Sequence, residues 1–409
     1  MWRFIPPTVT RGRRRSSPSA RNSPKVRQMT ALFPDYVAPW ETEDQKVLRK
    51  HAAEFFCKEA APNQDRWAKQ QQVDREFWNK AGAAGLLGLN LPEQYGGGGG
   101  TFGHEVVVLQ ERAYSHDTAF GYAVHSTLCS QYIAAYASEE QKKRWIPQLV
   151  SGEMVAAVAM TEPGAGSDLQ AIRTTAVRDG DHYVINGSKT FISNGSHCDL
   201  VIIVARTEPG LSLIVAETKG LAGFERGRVL EKIGQHGQDT RELAFTDMRV
   251  PVTGLLGGVE GQGFAQLLEQ LPRERLTLGV EGVAMAEAAV AETVRYVKER
   301  TAFGKRLLDF QNTKFVLAEC KAEVLAGKTL IDYCIGRYLD GKLDAATASI
   351  AKMWASDKQV EVVDECLQLF GGYGYMMEYP IAQMYAAARV QKIYGGTNEI
   401  MKILIARSL

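Results

Sequence analysis

A run of small and polar residues near the middle of the chain has the composition of a ligand-binding loop. It reads Met160-Thr161-Glu162-Pro163-Gly164-Ala165-Gly166-Ser167-Asp168. Pro163 favours a turn, while Gly164 and Gly166 let the backbone approach a ligand closely. The hydroxyls of Thr161 and Ser167 could then bind a flat heteroaromatic ring or a phosphate. Taken alone, the segment is better interpreted as a structural turn, because it lacks the third glycine of a dinucleotide-binding loop.

Further segments combine aromatic, cationic or glycine residues in ways that could hold a cofactor. Phe191 lies two residues before Ser193, so its ring could stack on a ligand whose edge the hydroxyl binds. An interior phenylalanine and a turn serine are the alternative. Arg300, followed by Gln311, could pair with a pyrophosphate, although cations at helix ends also occur for dipole reasons alone. The remaining two candidates, each of which could be only a helix cap, are Gln368–Gly374 and Tyr394–Ile400.

The hydrophobic pattern changes twice and divides the chain into three parts. Apolar positions have helical spacing from Glu41 to about Gly152, short β-rich runs follow to about residue 255, and helical spacing returns beyond Gly261. Helix, sheet, helix in that order predicts an α+β fold. The predicted units are a basic leader over 1–40 that is disordered, a helical domain over 41–157, a β domain over 158–260 and a helical bundle over 261–409.

Glycine and proline positions make these predictions more specific. Asn186-Gly187 between two β-branched runs predicts a two-residue hairpin turn, and Asp179-Gly180 predicts another. Five consecutive glycines at 96–100 predict a flexible connection. In the last part we expect a long helix over 264–300 that is kinked or begun at Pro272. A second long helix over 344–370 should end at Gly371-Gly372.

Composition bounds the function classes. The chain has 409 residues, with 45% hydrophobic and 23% charged residues, which is ordinary for a globular protein of two or three units. No apolar run is long enough for a membrane span, and the acidic body of the chain offers no nucleic-acid footprint. The six cysteines are scattered without metal-binding spacing, so we expect no metal.

The N-terminal 34 residues differ from the rest because they contain basic but no acidic side chains. Such a leader could be a mitochondrial transit peptide. An unstructured leader or a later start at Met29 is the preferred interpretation. We therefore place the protein in the cytoplasm, with the mitochondrial matrix as the alternative.

The segments described above, in this order, resemble the motifs of the acyl-CoA dehydrogenase family. The similarity covers residues 41–409, and Tyr394–Ile400 and Phe191–Gly195 are most similar to the long-chain subgroup. The resemblance implies an N-terminal helical domain, a central β-barrel and a C-terminal four-helix bundle. It also implies an FAD cofactor, an acyl-CoA substrate, a homotetramer and electron transfer to an electron-transfer flavoprotein. The reaction would be α,β-dehydrogenation of the thioester in fatty-acid β-oxidation or branched acyl catabolism.

The resemblance also implies roles for individual residues. Thr161 and Ser193 would bond the isoalloxazine, Phe191 would pack on it, and Ser167 would touch the CoA moiety. Thr397 and Glu399 would close the site. Further substrate-binding positions would be Arg275, Phe120 and Gly396. The other cofactor-binding residues, several of them reaching across a subunit boundary, would be Met160, Arg300, Phe303, Gln311, Gln368, Gly371 and Gly372.

One departure from the family concerns the catalytic base. Many members carry a glutamate where this chain has Gly395, which keeps the backbone N–H for an oxyanion but cannot take a proton. The long-chain and isovaleryl branches place the base on a bundle helix within Glu-Arg-Leu, which matches Glu274-Arg275-Leu276. We therefore expect Glu274 to be the base, with Arg275 orienting it or tuning its pKa and Glu399 as the rival carboxylate. On the residues alone, a solvated salt-bridge face is the simpler interpretation of this segment.

Two other functions remain open at this point. A flavin oxidase or monooxygenase of the same fold would use oxygen in place of a flavoprotein acceptor. A non-catalytic flavin- or CoA-binding protein would have lost its base at Gly395. For the substrate, Phe120 beside Ala119 and Gly121 suggests a narrowed acyl pocket, and hence a preference for shorter, branched or cyclic acyl groups.

Overall fold

The computed structural model describes residues 32–409, which form two helical units on either side of a curled sheet. The predicted leader falls largely on residues 1–31, which lie outside the described residues. The prediction of disorder is wrong for residues 32–40, because Tyr36 and Trp40 pack on the C-terminal unit. Both side chains donate hydrogen bonds to the buried carboxylate of Asp332, and the distance from Trp40 Nε1 to Asp332 Oδ1 is 2.7 Å. The chain is therefore ordered before the predicted boundary at residue 40.

The N-terminal unit is helical, as predicted. Its α-helices are α1 (Glu43–Phe55), α2 (Gln64–Gln70), α3 (Arg75–Ala83), α4 (Phe102–Tyr114), α5 (Ser130–Tyr136) and α6 (Glu139–Ser151). Two π-helical segments, Phe56–Ala60 and Ala123–Cys129, continue α1 and precede α5. Ser138 begins α6 with a capping box, in which its hydroxyl accepts from Gln141 N. A core rich in aromatic residues joins these helices.

The glycine run at 96–100 is not the flexible connection that we predicted. The amides of Gly98 and Gly100 donate to the carbonyls of Gly88 and Leu89, at 3.0 and 2.9 Å. A Cβ at Gly98 would lie 2.7 Å from Leu89 O, so only glycine permits this approach. The run is an ordered segment that packs against the loop before it.

The middle unit is a mixed sheet of seven strands. They are β1 (Val155–Ala159), β2 (Thr175–Asp179), β3 (His182–Ser193), β4 (Cys198–Thr207), β5 (Gly210–Glu217), β6 (Phe224–Val229) and β7 (Thr240–Pro251). The strand order is β1-β4-β2-β3-β7-β6, with β5 paired to β4. The predicted turn at Asp179-Gly180 is confirmed, because it joins β2 to β3 with Asp179 opposite His182.

The predicted hairpin at Asn186-Gly187 is wrong. β3 runs unbroken through both residues, and its pairing with β7 shifts register between Ile185 and Gly187. Asn186 instead bonds across the strands, where its side chain donates to Asp247 Oδ1 and accepts from Asp247 N. The local pattern that usually makes a turn here makes a bulge, because both flanking runs pair with the same long partner strand.

The C-terminal unit is a bundle of long helices. Its α-helices are α7 (Gly263–Glu299), α8 (Gln311–Leu339), α9 (Ala345–Gln368), α10 (Pro380–Ala388) and α11 (Asn398–Ala406), and a small hairpin of β8 (Thr301–Ala302) and β9 (Lys305–Arg306) joins α7 to α8. The predicted second long helix is confirmed as α9, which Asp344 caps by accepting from Thr347 N at 2.8 Å. Pro272 lies inside α7 and does not begin it. The fold class predicted from the sequence is confirmed.

Apolar contacts join the three units around α7. Leu276 and Val280 of α7 share a core with the helices of the N-terminal unit, and Leu267 shares one with α5, α6 and the sheet. No helix among residues 32–409 is both long and apolar enough to cross a membrane. The start of α7, where all three units meet, is therefore the place where side chains from different parts of the chain can converge.

Candidate active site

Glu274 lies in the fourth turn of α7, at the point where the units meet. The side chain is half-buried, and the hydroxyl of Tyr132 on α5 donates to its Oε1 at 2.9 Å. Burial raises the pKa of Glu274 to about 7, against the opposing effects of the Tyr132 hydrogen bond and the neighbouring arginines. A carboxyl with this pKa is a base that is half-ionised near neutral pH.

The two arginines beside Glu274 have different surroundings. Arg273 is buried, pairs with the buried carboxylate of Glu105 and donates to Thr127 O at 2.6 Å. Arg275 is 5% exposed, and its guanidinium has no hydrogen bond or ion pair with any residue in 32–409. The solvated salt-bridge face that the residues alone suggested is therefore wrong. Arg273 fixes α7 to the N-terminal unit, and Arg275 is a buried cation without a partner among these residues.

Gly395 faces the same turn of α7. A Cβ at this position would lie 2.3 Å from Leu278 Cδ1, and Leu278 follows Glu274 by one helical turn. Residues four apart on a helix share one face, so Gly395 lies against the helix face that also carries Glu274. The backbone of Gly395 is left-handed, with φ 65°. Its N–H has no acceptor among the described residues, which leaves it free to donate to a ligand.

The loop that begins with Met160 and Thr161 lies where β1 ends. Thr161 is half-buried, and its carbonyl accepts from Thr190 N on β3 at 2.9 Å. Glu162 and Ala165 exchange two backbone hydrogen bonds around Pro163. Met160 packs on the apolar cluster that contains Tyr132, so the loop is connected to the surroundings of Glu274.

A buried ion pair holds this loop against the sheet. The Lys189 ammonium on β3 donates to Glu162 Oε1, Met160 O and Val204 O at 2.9, 2.9 and 2.7 Å. Glu162 also accepts from the backbone amides of Arg173 and Thr174. Burial lowers the pKa of Lys189 to about 8, whereas the donors around Glu162 overcome the effect of burial and lower its pKa to about 2. Both groups are therefore charged at neutral pH.

Phe191 and Ser193 lie at the end of β3, next to this loop. The Phe191 ring is 66% exposed and its backbone is left-handed, with φ 60°, so the interior phenylalanine of the simpler interpretation is wrong. Ser193 is half-buried and Ser167 is exposed. An exposed ring beside half-buried hydroxyls has the chemistry needed to stack on a flat heteroaromatic group and bind its edge. The surroundings therefore fit a flavin ring.

A second group of predicted residues lies at the other end of α7. At 1.5 Å per residue, the last residue of α7 is about 38 Å from Glu274, which is longer than a dinucleotide cofactor. At that end the Arg300 guanidinium lies over the Tyr373 ring and the Phe303 ring, 95% exposed, packs edge-on against Phe310. The remaining members of this group, all exposed, are Gln311, Gln368, Gly371 and Gly372. One chain thus keeps the two groups apart.

The other predicted residues have varied positions. Thr397 is the N-cap of α11, where its hydroxyl accepts from Ile400 N, and Glu399 is exposed in the first turn. Gly396 follows Gly395 with φ 92°. Phe120, by contrast, does not line an open pocket. Its ring is fully buried against Phe77 and Trp78, at centroid distances of 4.8 and 4.6 Å, and belongs to the aromatic core.

Several residues that shape this site were not found from the sequence. Tyr132 and Lys189 bond to residues far away along the chain, and no local pattern marks them. Glu162 lies in the predicted loop, but its ion pair was not predicted. Asn194 is another, because its amide donates to the carbonyls of Gly121 and Ala156 and ties the end of β3 to the N-terminal unit. Its left-handed φ of 63° fits the Asn-Gly pair at 194–195, which was the available signal. Among residues 32–409, no cluster of metal-ligating side chains occurs.

Comparisons with known proteins agree with this architecture. Family models match as the N-terminal domain of acyl-CoA dehydrogenase over residues 42–153, the middle domain over 157–248 and the C-terminal domain over 261–409. The long-chain specific acyl-CoA dehydrogenase, mitochondrial, of Sus scrofa is 44% identical over 98% of this chain and 94% of that protein.

Solved structures match over nearly the same extent. The crystal structure of acyl-CoA dehydrogenase from Geobacillus kaustophilus is 44% identical with a TM-score of 0.89, over 91% of this chain and 99% of that chain. A chain from a study of the electron transferring flavoprotein of Acidaminococcus fermentans is 36% identical with a TM-score of 0.86, over 90% and 98%. With three domain models and a relative at this identity along its whole length, the chain belongs to the acyl-CoA dehydrogenase family.

Proposed function

We propose that the protein catalyses FAD-dependent α,β-dehydrogenation of an acyl-CoA thioester to the trans-2-enoyl-CoA, with Glu274 as the base. One observation supports this most directly. Glu274, with a pKa of about 7, lies on the helix face against which Gly395 packs, and the N–H of Gly395 has no acceptor among residues 32–409. An α-proton next to a thioester is only weakly acidic, so its removal needs both a carboxylate and a donor to the developing enolate oxygen.

In this proposal the chain supplies the proton chemistry. Glu274 takes the α-proton and the Gly395 N–H donates to the thioester oxygen, while bound FAD would accept the hydride that leaves the β-carbon. Tyr132 holds the carboxylate in place and favours its ionised form. Arg275 and Gly396 border the substrate, and Ser167 contacts the CoA moiety. The rival Glu399 is exposed, and hydrogen bonds from its own amide and from Thr397 lower its pKa, so it is the weaker base.

Two chains would share the holding of FAD. Met160, Thr161, Phe191 and Ser193 would hold the isoalloxazine from the β unit, and Thr397 and Glu399 would close the site. The second group, from Arg300 to Gly372, would hold the pyrophosphate and adenosine of a neighbouring subunit, because the length of α7 separates it from Glu274 of its own chain. This division supports an assembly of subunits, as do the exposed rings of Phe303 and Tyr375, 95% and 83% accessible. The assembly that we propose is the homotetramer implied by the family resemblance.

The substrate class is tested by anaerobic titration of the purified protein with a panel of acyl-CoAs. We expect the visible flavin absorbance to bleach with one class of acyl chain. The preference for shorter or branched chains loses its structural reason, because Phe120 is part of the core. Rapid oxygen consumption with a bound thioester would favour the oxidase alternative. A flavin that no thioester bleaches would favour the non-catalytic one.

The base is tested by Glu274→Gln, with Glu269→Gln as a matched control. Glu269 lies on the same helix and also accepts a tyrosine hydrogen bond, from Tyr136 at 2.7 Å, but it is exposed. We expect Glu274→Gln to keep its flavin and to bleach about 10² to 10⁴ times more slowly, the usual contribution of a general base. The control should bleach at the wild-type rate. A Glu274→Gln protein that retains more than about one-tenth of the rate would contradict the assignment.

Electron-transfer flavoprotein is the acceptor that we propose. The match to a chain from a study of such a protein supports a pairing of this kind, and the test is reduction of purified electron-transfer flavoprotein by the substrate-reduced enzyme. We propose the cytoplasm as the compartment, with the mitochondrial matrix as the alternative. Import and cleavage of the full chain by isolated mitochondria would decide for the matrix, since the basic leader without acidic residues fits either.

A further inference from the structure

Lys352 is a buried lysine on the face of α9 that meets the Gly395-Gly396 turn. Its side chain is fully buried, and its ammonium donates to Gly396 O and to Asn398 Oδ1, both at 2.8 Å. No ion pair to Lys352 occurs among residues 32–409. A buried cation without a paired carboxylate is costly, so its contacts must be specific ones.

The packing of the bundle explains how Lys352 reaches this place. Gly279 and Gly282 of α7 face Ala351 and Ala355 of α9, and a Cβ on either glycine would come within 3.4 Å of the α9 backbone. The two helices therefore approach closely just after the turn that carries Glu274 and Leu278. Lys352 follows Ala351 along α9, so its side chain extends from this helix contact towards the Gly395-Gly396 turn, which packs on Leu278.

The acceptors of Lys352 are themselves held in place. Asn398 is buried, and its amide donates to Ser356 Oγ and Asp357 Oδ1, both at 3.0 Å. Asp357 also pairs with Lys392 at 2.6 Å. Through space, Asp357 and Glu399 attract the Lys352 charge, whereas Arg275 and Lys392 repel it, and burial lowers its pKa to about 8. The cluster thus connects α9 to the residues on both sides of the turn.

We propose that Lys352 is a positioning residue, which holds the Gly395-Gly396 turn so that the Gly395 N–H points at the thioester oxygen. This inference rests on the proposed function, in which that N–H stabilises the enolate. Two consecutive glycines with φ of 65° and 92° have many alternative conformations, so the turn needs an external anchor. Removal of one oxyanion donor typically costs about 10² to 10³ in rate.

The test compares Lys352→Met with Lys358→Met. Lys358 lies on the same helix but is solvent-accessible, where it contacts Glu361 and Glu323. We expect Lys352→Met to retain flavin and substrate affinity but to bleach about 10-fold to 10²-fold more slowly at saturating acyl-CoA. Amide hydrogen exchange in the peptide over 393–398 should also accelerate. Lys358→Met should change neither property, and Lys352→Arg should recover part of the rate because arginine can donate to both oxygens.

The outcomes separate a positioning role from a structural one. Lost flavin with faster exchange throughout α9 would overturn the proposal, and so would a normal bleaching rate. If Lys352→Met does not fold, Asn398→Ala removes one acceptor of the same contact and should give a smaller slowing with the same local exchange pattern. If wild-type protein is bleached by no thioester, the proposed function fails. In that case exchange at 393–398 still reports whether Lys352 anchors the turn.

Discussion

The two sides of the site are each anchored by a buried lysine, but the partners of the two lysines differ. On the proposed flavin side, formed by the loop from Met160 and the end of β3, Lys189 binds the carboxylate of Glu162 as well as two carbonyls. On the proposed base side, formed by Glu274 and the Gly395-Gly396 turn, Lys352 binds one carbonyl and one amide oxygen, and it pairs with no carboxylate among residues 32–409. Burial lowers the pKa of both ammonium groups to about 8. A buried lysine thus anchors each side, paired with a carboxylate in one case and only with neutral oxygens in the other.

The difference in partners predicts that the two lysines contribute to different properties of the protein. The ammonium of Lys189 joins β3 to β4 and to the loop after β1, and loss of Lys189 would leave the Glu162 carboxylate buried without its cation. The contacts of Lys352 join one helix to one turn, and its loss would leave only neutral oxygens without a donor. Unpaired buried charges cost several kcal/mol, whereas an unpaired buried carbonyl costs about 1–3 kcal/mol. The flavin side should therefore respond to mutation in its stability, and the base side in its catalytic rate.

The largest effect should come from Lys189→Met. We expect a destabilisation of about 3–5 kcal/mol, because Glu162 loses its buried cation. Since the loop from Met160 is held by the same ammonium, the purified protein should also lose most of its flavin. The measurements are chemical unfolding and the ratio of flavin to protein absorbance.

The double variant Lys189→Met/Glu162→Gln is the control for this prediction. Removing both charges should recover part of the stability, since a neutral pair leaves no buried ion. If the single variant unfolds like wild type and keeps its flavin, the contrast between the two lysines is lost.

An intermediate effect is expected from Gly395→Ala on the base side. The left-handed backbone costs a non-glycine residue roughly 1–2 kcal/mol, and the new methyl group would overlap Leu278 Cδ1 at 2.3 Å. We expect bleaching to slow by about tenfold or more as the N–H moves, with flavin retained. Anaerobic stopped-flow bleaching measures this.

Leu278→Ala separates the two causes. Added to Gly395→Ala, the Leu278→Ala substitution relieves the overlap with the new methyl group but not the backbone strain. Only part of the bleaching rate should therefore return. A complete recovery would mean that the side-chain contact, and not the conformation of the turn, limits this position.

Local sequence patterns predicted the secondary-structure elements better than they predicted the residues of the candidate active site. Helix caps and glycine stops mark α9 within a few residues, because such signals act over one turn of chain. The Asn186-Gly187 hairpin failed because pairing with β7 overrides the turn preference of the dipeptide. Lys189, Lys352 and Tyr132 were missed for a different reason. Whether a lysine is buried, and against which oxygen, depends on helix and strand packing that no short window of sequence contains.

Glu274 shows how a resemblance and a structure complement each other. The Glu-Arg-Leu match identified the candidate, but the residues alone favoured a solvated face. Burial, the Tyr132 hydrogen bond and the unpaired Arg275 are properties of the packed chain. Burial supplies the physical reason for the raised pKa of Glu274, which the Tyr132 hydrogen bond and the nearby Arg275 partly oppose, and the sequence alone could show none of these effects.

The smallest effect on the maximal bleaching rate should come from Tyr132→Phe, which should instead change how the rate depends on pH. Tyr132 donates to the Glu274 carboxylate and so favours the ionised form, whereas burial opposes it and sets the pKa at about 7. A base must be ionised to take a proton, so the bleaching rate should fall as the pH drops below about 7. Removing a hydrogen bond to a charged group costs about 1.5–3 kcal/mol, which corresponds to a pKa rise of about one to two units. Tyr132→Phe should therefore shift the inflection of the pH–rate profile upwards, slow bleaching at neutral pH and leave the rate at high pH nearly unchanged.

The control is Tyr136→Phe, which removes the equivalent bond to Glu269 and should leave the pH–rate profile in place. A profile that keeps its inflection in Tyr132→Phe but loses rate equally at every pH would mean that Tyr132 orients the carboxylate without tuning it. The base side would then depend on geometry alone, as the contacts of Lys352 with neutral oxygens already suggest.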